Sequence, residues 1–332
     1  MRLESNYRGS YALSERADKS RAVLSQTPAR ESVAVLYGGM GSEADVSRTS
    51  ARLVAGALTA LGYPYKLVEH DETGEWLRKV RKSDVVLVMM HGGPGENGQV
   101  QSQLQAMAIP YTGTGTMGSS LGFNKYMSKH LWAGVGGLTS ECLRFHLDNY
   151  LQVANHILSG VSDVILPVVV KPVREGSSNG LALVRTDTEL LPAMEAVLAA
   201  DEYGLAEPLL TGKEFTMGFL DRTYLGAIQV VPRGDMYDRE AKYTSEQTEY
   251  HVYRDKAVLQ SLIPICERFI DVAELEGPLR FDFRMHAGRA YFLEVNTVPG
   301  MTDHSLLPMA AQQAGLSYAD LVDRIVQGAR VK

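Results

Sequence analysis

A chain of 332 residues is too long for one minimal domain and long enough for two or three compact units with a cleft between them. Hydrophobic content of 45% and charged content of 22% exclude disordered and fibrous classes. A net charge of -6 gives no general attraction for nucleic acid, so any phosphate binding must come from lysines focused inside a cleft.

Residues 1–31 are polar and highly charged, with no apolar stretch of the kind a secretory signal needs, and are expected to form a flexible extension. No window approaches the ~20 apolar residues that cross a bilayer, so a cytoplasmic protein with no membrane partner is expected. Val33-Ala34-Val35-Leu36-Tyr37 before Gly38-Gly39 predicts a buried strand and a turn, and the helical spacing of apolar residues over 45–61 predicts a helix after it. A second unit of this kind starts with the apolar run 84–90 and has His91-Gly92-Gly93 at its C-terminal end, where ligands of α/β sheets usually sit. An edge strand over 109–113 closes this first domain, 32–113.

A central domain, 114–207, is predicted from a helix near 125–132, a strand over 166–171, a Gly/Ser loop at 176–180, a strand over 181–185 and a closing helix over 188–199. The last domain, 208–332, has strands near 214–220 and 224–231, a polar loop to Tyr250, a helix over 256–273, a hairpin around His286-Ala287-Gly288, and helices after Ser305 and Ser317. Cys142 and Cys266 match neither a disulfide framework nor a metal motif and are expected to be idle thiols.

Three distant features make chemical sense together. Lys171 ends an apolar strand, where its ammonium can meet polyphosphate. Glu175-Gly176-Ser177-Ser178-Asn179-Gly180 follows, and its glycines free backbone N–H groups to face anionic oxygens. The sharpest signal is Asp282, Glu294 and Asn296 on the two strands of a hairpin, with Glu294 and Asn296 on one face. Carboxylates among apolar neighbours are costly to bury without a cation, and hard oxygen ligands of this kind suit Mg²⁺ carrying nucleotide phosphates.

Gly38-Gly39-Met40-Gly41-Ser42-Glu43, His91-Gly92 with Gly95-Glu96-Asn97-Gly98, Val170-Lys171-Pro172 with Gly176-Ser177-Ser178, Glu240-Ala241-Lys242-Tyr243, and the run from Leu293 through Glu294 and Asn296 to Gly300-Met301-Thr302 resemble the D-alanine-D-alanine ligase family. They occur in that family's order from about residue 33 to 329. The resemblance implies an α/β fold of the three-domain ATP-grasp type: a Rossmann-like parallel-sheet domain first, and ATP between the central and C-terminal α+β domains. It implies Lys125, Lys171 and Lys242 at the phosphates and Glu207 and Glu214 facing adenine and ribose. Asp282, Glu294 and Asn296 would hold Mg²⁺ or Mn²⁺, two ions in all.

The family phosphorylates the first D-alanine carboxylate with ATP, and the second amine attacks the acyl phosphate. On that resemblance Glu43 holds the first ammonium group, linked to Ser177 and Tyr243, and Arg280 and the Gly300 N–H stabilise the tetrahedral oxyanion. Ser305 and the Leu306 N–H take the second carboxylate, while His91 lies beside the first substrate and Glu96 near it. Product for peptidoglycan precursors and a homodimer are expected. Departures from the family pattern are Arg239, Asn179, Asn97, Leu279 and the pair Phe123-Asn124 before Lys125. They bear on which amino acids are joined, so a relative joining other amino acids for a metabolite is the alternative. A non-catalytic nucleotide-binding protein descended from such ligases is disfavoured because Arg280 and the metal trio are all kept. An NAD enzyme is disfavoured because Gly38-Gly39-Met40-Gly41 is not a GxGxxG fingerprint.

Overall fold

The apolar run of Val33–Gly38 forms β1, the central strand of a parallel sheet in the computed structural model, which describes residues 30–39, 43–177, 179–232 and 248–332. β2 (Tyr65–His70) and β3 (Val85–Val88) flank it in the order β2-β1-β3, and β3 is buried at every position. Helix α1 (Ala44–Leu61) crosses over from β1 to β2. Gly62 ends it at φ 77°, donating to the Leu58 and Thr59 carbonyls, a conformation that favours glycine. Helices α2 (Glu75–Val80), α3 (Gly93–Glu96) and α4 (Gln99–Ala106) complete this layer.

The edge strand expected over 109–113 is reduced to a bridge, in which Tyr111 pairs with Val86 on one side and Arg330 on the other. Pro110 has no N–H for a ladder, and Gly113 turns away at φ 86°, so pairing stops after one residue.

Helices α5 (Thr116–Phe123) and α6 (Lys125–Gly134) lead to an antiparallel sheet of β4 (Leu143–His146), β5 (Val168–Pro172), β6 (Ala182–Val184) and β7 (Tyr203–Pro208), in the order β4-β7-β5-β6. Helices α7 (Tyr150–Leu158) and α8 (Asp187–Ala200) supply Ile157, Leu190 and Val197 to its core. The expectation that helix α8 closes this unit is corrected by β7, which lies between β4 and β5. Gly204 and Pro208 hide it, because both depress strand propensity. Gly204 is required all the same, since a Cβ there would sit 2.0 Å from the Phe145 ring.

The third sheet is antiparallel, in the order β10-β9-β8-β11-β12, with β8 (Glu214–Leu220), β9 (Thr223–Val231), β10 (Glu249–Val252), β11 (Pro278–His286) and β12 (Arg289–Asn296). On one face α9 (Lys256–Val272) and Trp132 of α6 pack with Phe269, Phe281, Phe283 and Phe292, the Trp132 and Phe292 rings stacked at 4.6 Å. Each ring removed from water contributes about 2 kcal/mol, which makes β11 and β12 a firm wall. On the other face α10 (Leu306–Gln313) approaches closely because β8 carries Gly218, where a Cβ would meet that of Ala310 at 2.8 Å. Helix α11 (Tyr318–Gln327) then joins the core of α1, and the Tyr63 hydroxyl donates to Asp323 at 2.8 Å. No helix among the described residues is long and apolar enough to cross a membrane. The expectations for the N-terminal extension up to residue 29 and for Ser178, Arg239, Glu240, Lys242 and Tyr243 lie outside the described residues.

Candidate active site

Glu43 precedes α1 and His91 follows β3, so both stand at the C-terminal edge of the parallel sheet. The Ser177 hydroxyl donates to Glu43, tying the central sheet's Gly/Ser loop to the first sheet. Glycines at 92 and 176 give that carboxylate room: a Cβ would lie 2.0 Å from Glu43 Oε2 at the first and 2.6 Å at the second. Ser177 itself adopts φ 51°, a strained choice for a residue with a side chain and one typical of functional loops.

Ser305 precedes α10, and its hydroxyl accepts the Thr302 N–H at 2.8 Å. A Cβ at Gly300 would meet that hydroxyl at 2.7 Å, so only glycine leaves the space beside it open. Leu306 begins the helix, whose first N–H groups carry partial positive charge suited to a carboxylate. Glu43, His91, Ser177, Arg280, Gly300, Ser305 and Leu306 therefore line one open cavity of about 1750 Å³.

A second cleft, of about 780 Å³, lies between the central and third sheets and holds Lys125, Lys171, Glu175, Asn179, Glu207, Glu214 and Asp282. Glu294 lines both spaces. Its position depends on a bulge: Asp282 pairs with Glu294 but Phe283 with Phe292, which leaves Leu293 as an extra residue in β12. In an unbroken strand Phe292 and Glu294 would share a face. The bulge sends Phe292 to the aromatic core and Glu294 to the site.

Across the strands Arg280 stands opposite Asn296. Its guanidinium forks onto Asp282 with two bonds of 2.9 Å, and the Asn296 amide donates to Asp282 at 3.1 Å. Lys125 pairs with Glu294 at 3.0 Å and donates to the Glu175 carbonyl at 2.5 Å. Arg284 lies 3.5 Å from Glu214. Asp282, Glu294 and Asn296 thus lie together on one strand pair, each carboxylate facing a cation.

Glu207, expected to face the nucleoside, lines the cleft and is bound by two lysines and a serine. Lys171 donates to Oε1, while Lys129 (2.8 Å) and Ser140 (3.2 Å) meet Oε2. Burial alone would raise its pKa, but the two lysines outweigh that and hold it down to about 2. Lys129, with a side chain 1% exposed, escaped the sequence reading. The available signal was its spacing from Trp132, which puts both on the buried face of α6.

Glu96, also buried, is pushed up to about 8 by burial and by the charges of Glu43 and Glu294, against the pull of Arg280. Burial pushes the His91 imidazole down. Among the departures, Asn124 caps α6 by accepting the Met127 N–H at 3.1 Å, Asn97 accepts the Gln99 N–H at 3.0 Å, and Leu279 is in the aromatic core. Only Asn179 of these described residues lines the lysine-bearing cleft.

Residues 131–327 match the family model described as D-ala D-ala ligase C-terminus. The D-alanine–D-alanine ligase of Haemophilus ducreyi is 38% identical over 299 residues, which cover 90% of this chain and 97% of that protein. That of Glaesserella parasuis is 37% identical over 300 residues, again 90% of this chain and 97% of the relative. Among solved structures, the D-alanine–D-alanine ligase of Bacillus anthracis superposes with a TM-score of 0.79 at 28% identity, covering 90% of this chain and 96% of that one. A structure of the Bacillus anthracis ligase complexed with ATP gives 0.76 at 26% identity, covering 90% and 97%. With matched motifs, matched fold and near-complete coverage, the chain belongs to the D-alanine–D-alanine ligase family.

Proposed function

We propose that this protein joins two D-alanines into D-alanyl-D-alanine, with ATP converted to ADP and phosphate, supplying peptidoglycan precursors in the cytoplasm. The observation that carries this reading is the meeting, at Glu294, of a lysine-lined cleft and the cavity lined by Glu43, Arg280 and Ser305. Among the described residues Glu294 is the one that lines both, so a phosphoryl donor in the first space and a carboxylate acceptor in the second would meet beside it.

Lys125 and Lys171 take the polyphosphate, joined by Lys242, and Glu207 and Glu214 lie on the nucleoside side. Asp282, Glu294 and the Asn296 amide oxygen form a hard-oxygen donor set, gathered on one strand pair, that fits Mg²⁺ or Mn²⁺. Such ions, two on this assignment, would supply positive charge to the transferring phosphoryl group when bound. Glu43, set by Ser177, holds the first D-alanine's ammonium group and leaves its carboxylate toward Arg280 and Glu294, and the family resemblance assigns Tyr243 to the same carboxylate. A carboxylate oxygen takes the γ-phosphoryl group and ADP departs.

Ser305 and the Leu306 N–H hold the second D-alanine by its carboxylate. Its amine, after losing a proton, attacks the acyl phosphate, and Arg280 with the Gly300 N–H meets the developing oxyanion. The C–O bond to phosphate breaks, releasing phosphate and leaving the amide. No protein nucleophile is required, because placement and charge supply the catalysis.

Purified protein with ATP, a divalent ion and D-alanine is expected to release ADP, phosphate and D-alanyl-D-alanine, identified by mass. AMP with pyrophosphate, or turnover without divalent ion, would overturn the assignment. A panel of other D- and L-amino acids tests the chain's substrate range.

A further inference from the structure

His91 lines the substrate cavity, yet both of its ring nitrogens are occupied by protein groups. Nδ1 lies 2.7 Å from the Val298 carbonyl oxygen, which can only accept, so Nδ1 carries a hydrogen. Nε2 lies 3.0 Å from the Ser50 hydroxyl. That hydroxyl oxygen accepts the Met301 N–H at 3.1 Å, and its single proton is available to Nε2 when that nitrogen is bare. Donors and acceptors therefore run in one direction, from Met301 N–H through Ser50 and His91 to the Val298 carbonyl. The neutral Nδ1–H tautomer satisfies every partner, and burial disfavours the imidazolium that could also do so.

Both ends of this chain of bonds fall in segment 298–301, between β12 and α10. Both side chains in it belong to the first sheet's layer, Ser50 on the buried face of α1 and His91 just after β3. Pro299 and Gly300 lie between the two tethered residues. The Tyr318 hydroxyl adds a bond of 2.8 Å to the Met301 carbonyl.

We infer that Ser50 and His91 are a positioning pair, a neutral hydrogen-bond tether that fixes segment 298–301 and thereby aims the Gly300 N–H, and that His91 transfers no proton in the reaction. The inference rests on the role given to Gly300 in the proposed reaction. Ser50 acts through His91 and Met301, with no contact to the reacting atoms required. Both hold still a donor whose value lies in being aimed before the oxyanion forms.

The direct test is long-range ¹H–¹⁵N correlation of protein labelled with ¹⁵N-histidine, with the His91 ring assigned by its loss in His91→Asn. One ring is expected to stay neutral, with Nδ1 protonated and Nε2 bare, through the pH range in which an ordinary imidazole takes up its proton. The charged or titratable groups facing it are Glu43, Arg280 and Glu96, whose opposed signs leave burial to decide. A ring that titrates near the ordinary 6.5, or that carries its hydrogen on Nε2, would overturn the inference. This readout needs no substrate, so it can fail while the proposed reaction stands, and the reverse.

Kinetics supply the second arm. Ser50→Ala removes one bond from each side of the relay and is expected to lower kcat about tenfold, with the KM for ATP nearly unchanged. His91→Asn, whose amide can still donate to the Val298 carbonyl, is expected to keep more activity than His91→Ala. Equal loss in His91→Asn and His91→Ala, with Ser50→Ala fully active, would mark His91 as a proton-transfer group and refute the tether.

Discussion

Replacing Lys129 by methionine separates charge from packing at the base of the nucleotide cleft. The cluster of Lys129, Lys171 and Glu207 carries a net charge of one positive unit, with side-chain exposures of 1%, 9% and 5%. Removing one partner of an isolated buried ion pair costs about 3–5 kcal/mol, because a charge is left without compensation. Glu207 would not be left so, since Lys171 and Ser140 remain on it, and methionine restores most of the lost volume. We therefore expect a smaller stability loss, about 1–2 kcal/mol, lowering Tm by roughly 2–6 °C. The functional effect should be larger. If a bound phosphate lay about 8 Å from the Lys129 ammonium, the unit charge, at an effective dielectric of about 20, would be worth about 2 kcal/mol, or roughly thirtyfold in affinity. Calorimetric titration of Lys129→Met should thus show weakened ATP and ADP binding but little change for adenosine. The KM for D-alanine should hold. An unchanged ATP affinity, or an equal loss for adenosine, would refute the charge argument and leave Lys129 a packing residue.

Arg280→Ala should cut turnover by about 10²- to 10³-fold, the usual scale for losing an oxyanion donor. Arg280→Lys should recover only part of that, because a lysine cannot reproduce the two-bonded fork on Asp282; full activity in either variant would show the arginine to be structural. Gly176→Ala puts a methyl group 2.6 Å from Glu43 Oε2, so the first-substrate KM should rise with Tm nearly unchanged, and an unaltered KM would remove Glu43 from that subsite. Glu96 titrates near 8 in the folded chain against an ordinary 4.5, so the stability tied to its protonated form is complete below about pH 4.5 and is lost as pH rises through 8. Glu96→Gln, fixed neutral, should therefore exceed the wild type in Tm above about pH 6 and converge with it toward pH 4.5; parallel pH profiles would contradict a buried carboxyl there.

The hydrophobic patterns of β1, α1, β8, β9 and the 278–296 hairpin, together with the glycine motifs, made most of the fold and both halves of the site legible in the sequence. What stayed hidden has identifiable physical causes. β7 is masked by Gly204 and Pro208, each there for reasons of packing or of strand ending. The bulge at Leu293 has no signature of its own, because an extra residue shows only when the partner strand is laid beside it. Two-residue spacing alone grouped Glu294 correctly with Asn296 only because the bulge lies before both. Lys129 was invisible because a lysine in a helix is ordinarily a solvated one, and its burial depends on Glu207, far away in sequence. His91 could be given a neighbourhood by resemblance, while its hydrogen-bond direction required Ser50, Val298 and Met301 in place together.

The arrangement of charge explains how so many carboxylates can line a half-buried site without unfolding it. Asp282 is matched by Arg280, Glu294 by Lys125, Glu207 by Lys129 and Lys171, and Glu214 by Arg284. Each pairing spares the protein the several kcal/mol that an uncompensated buried charge would cost. On the proposed assignment the same pairings become an exchange. Asp282 and Glu294 would hold the metal cations, which would leave Lys125 and Arg280 available for phosphate and acyl oxygens, and Lys171 could turn to phosphate while Lys129 stays on Glu207. Cations and anions then enter in balance, so binding substitutes partners instead of creating new buried charge. Because Glu294 lines both spaces, the exchange centres on the one carboxylate where phosphoryl donor and acceptor meet.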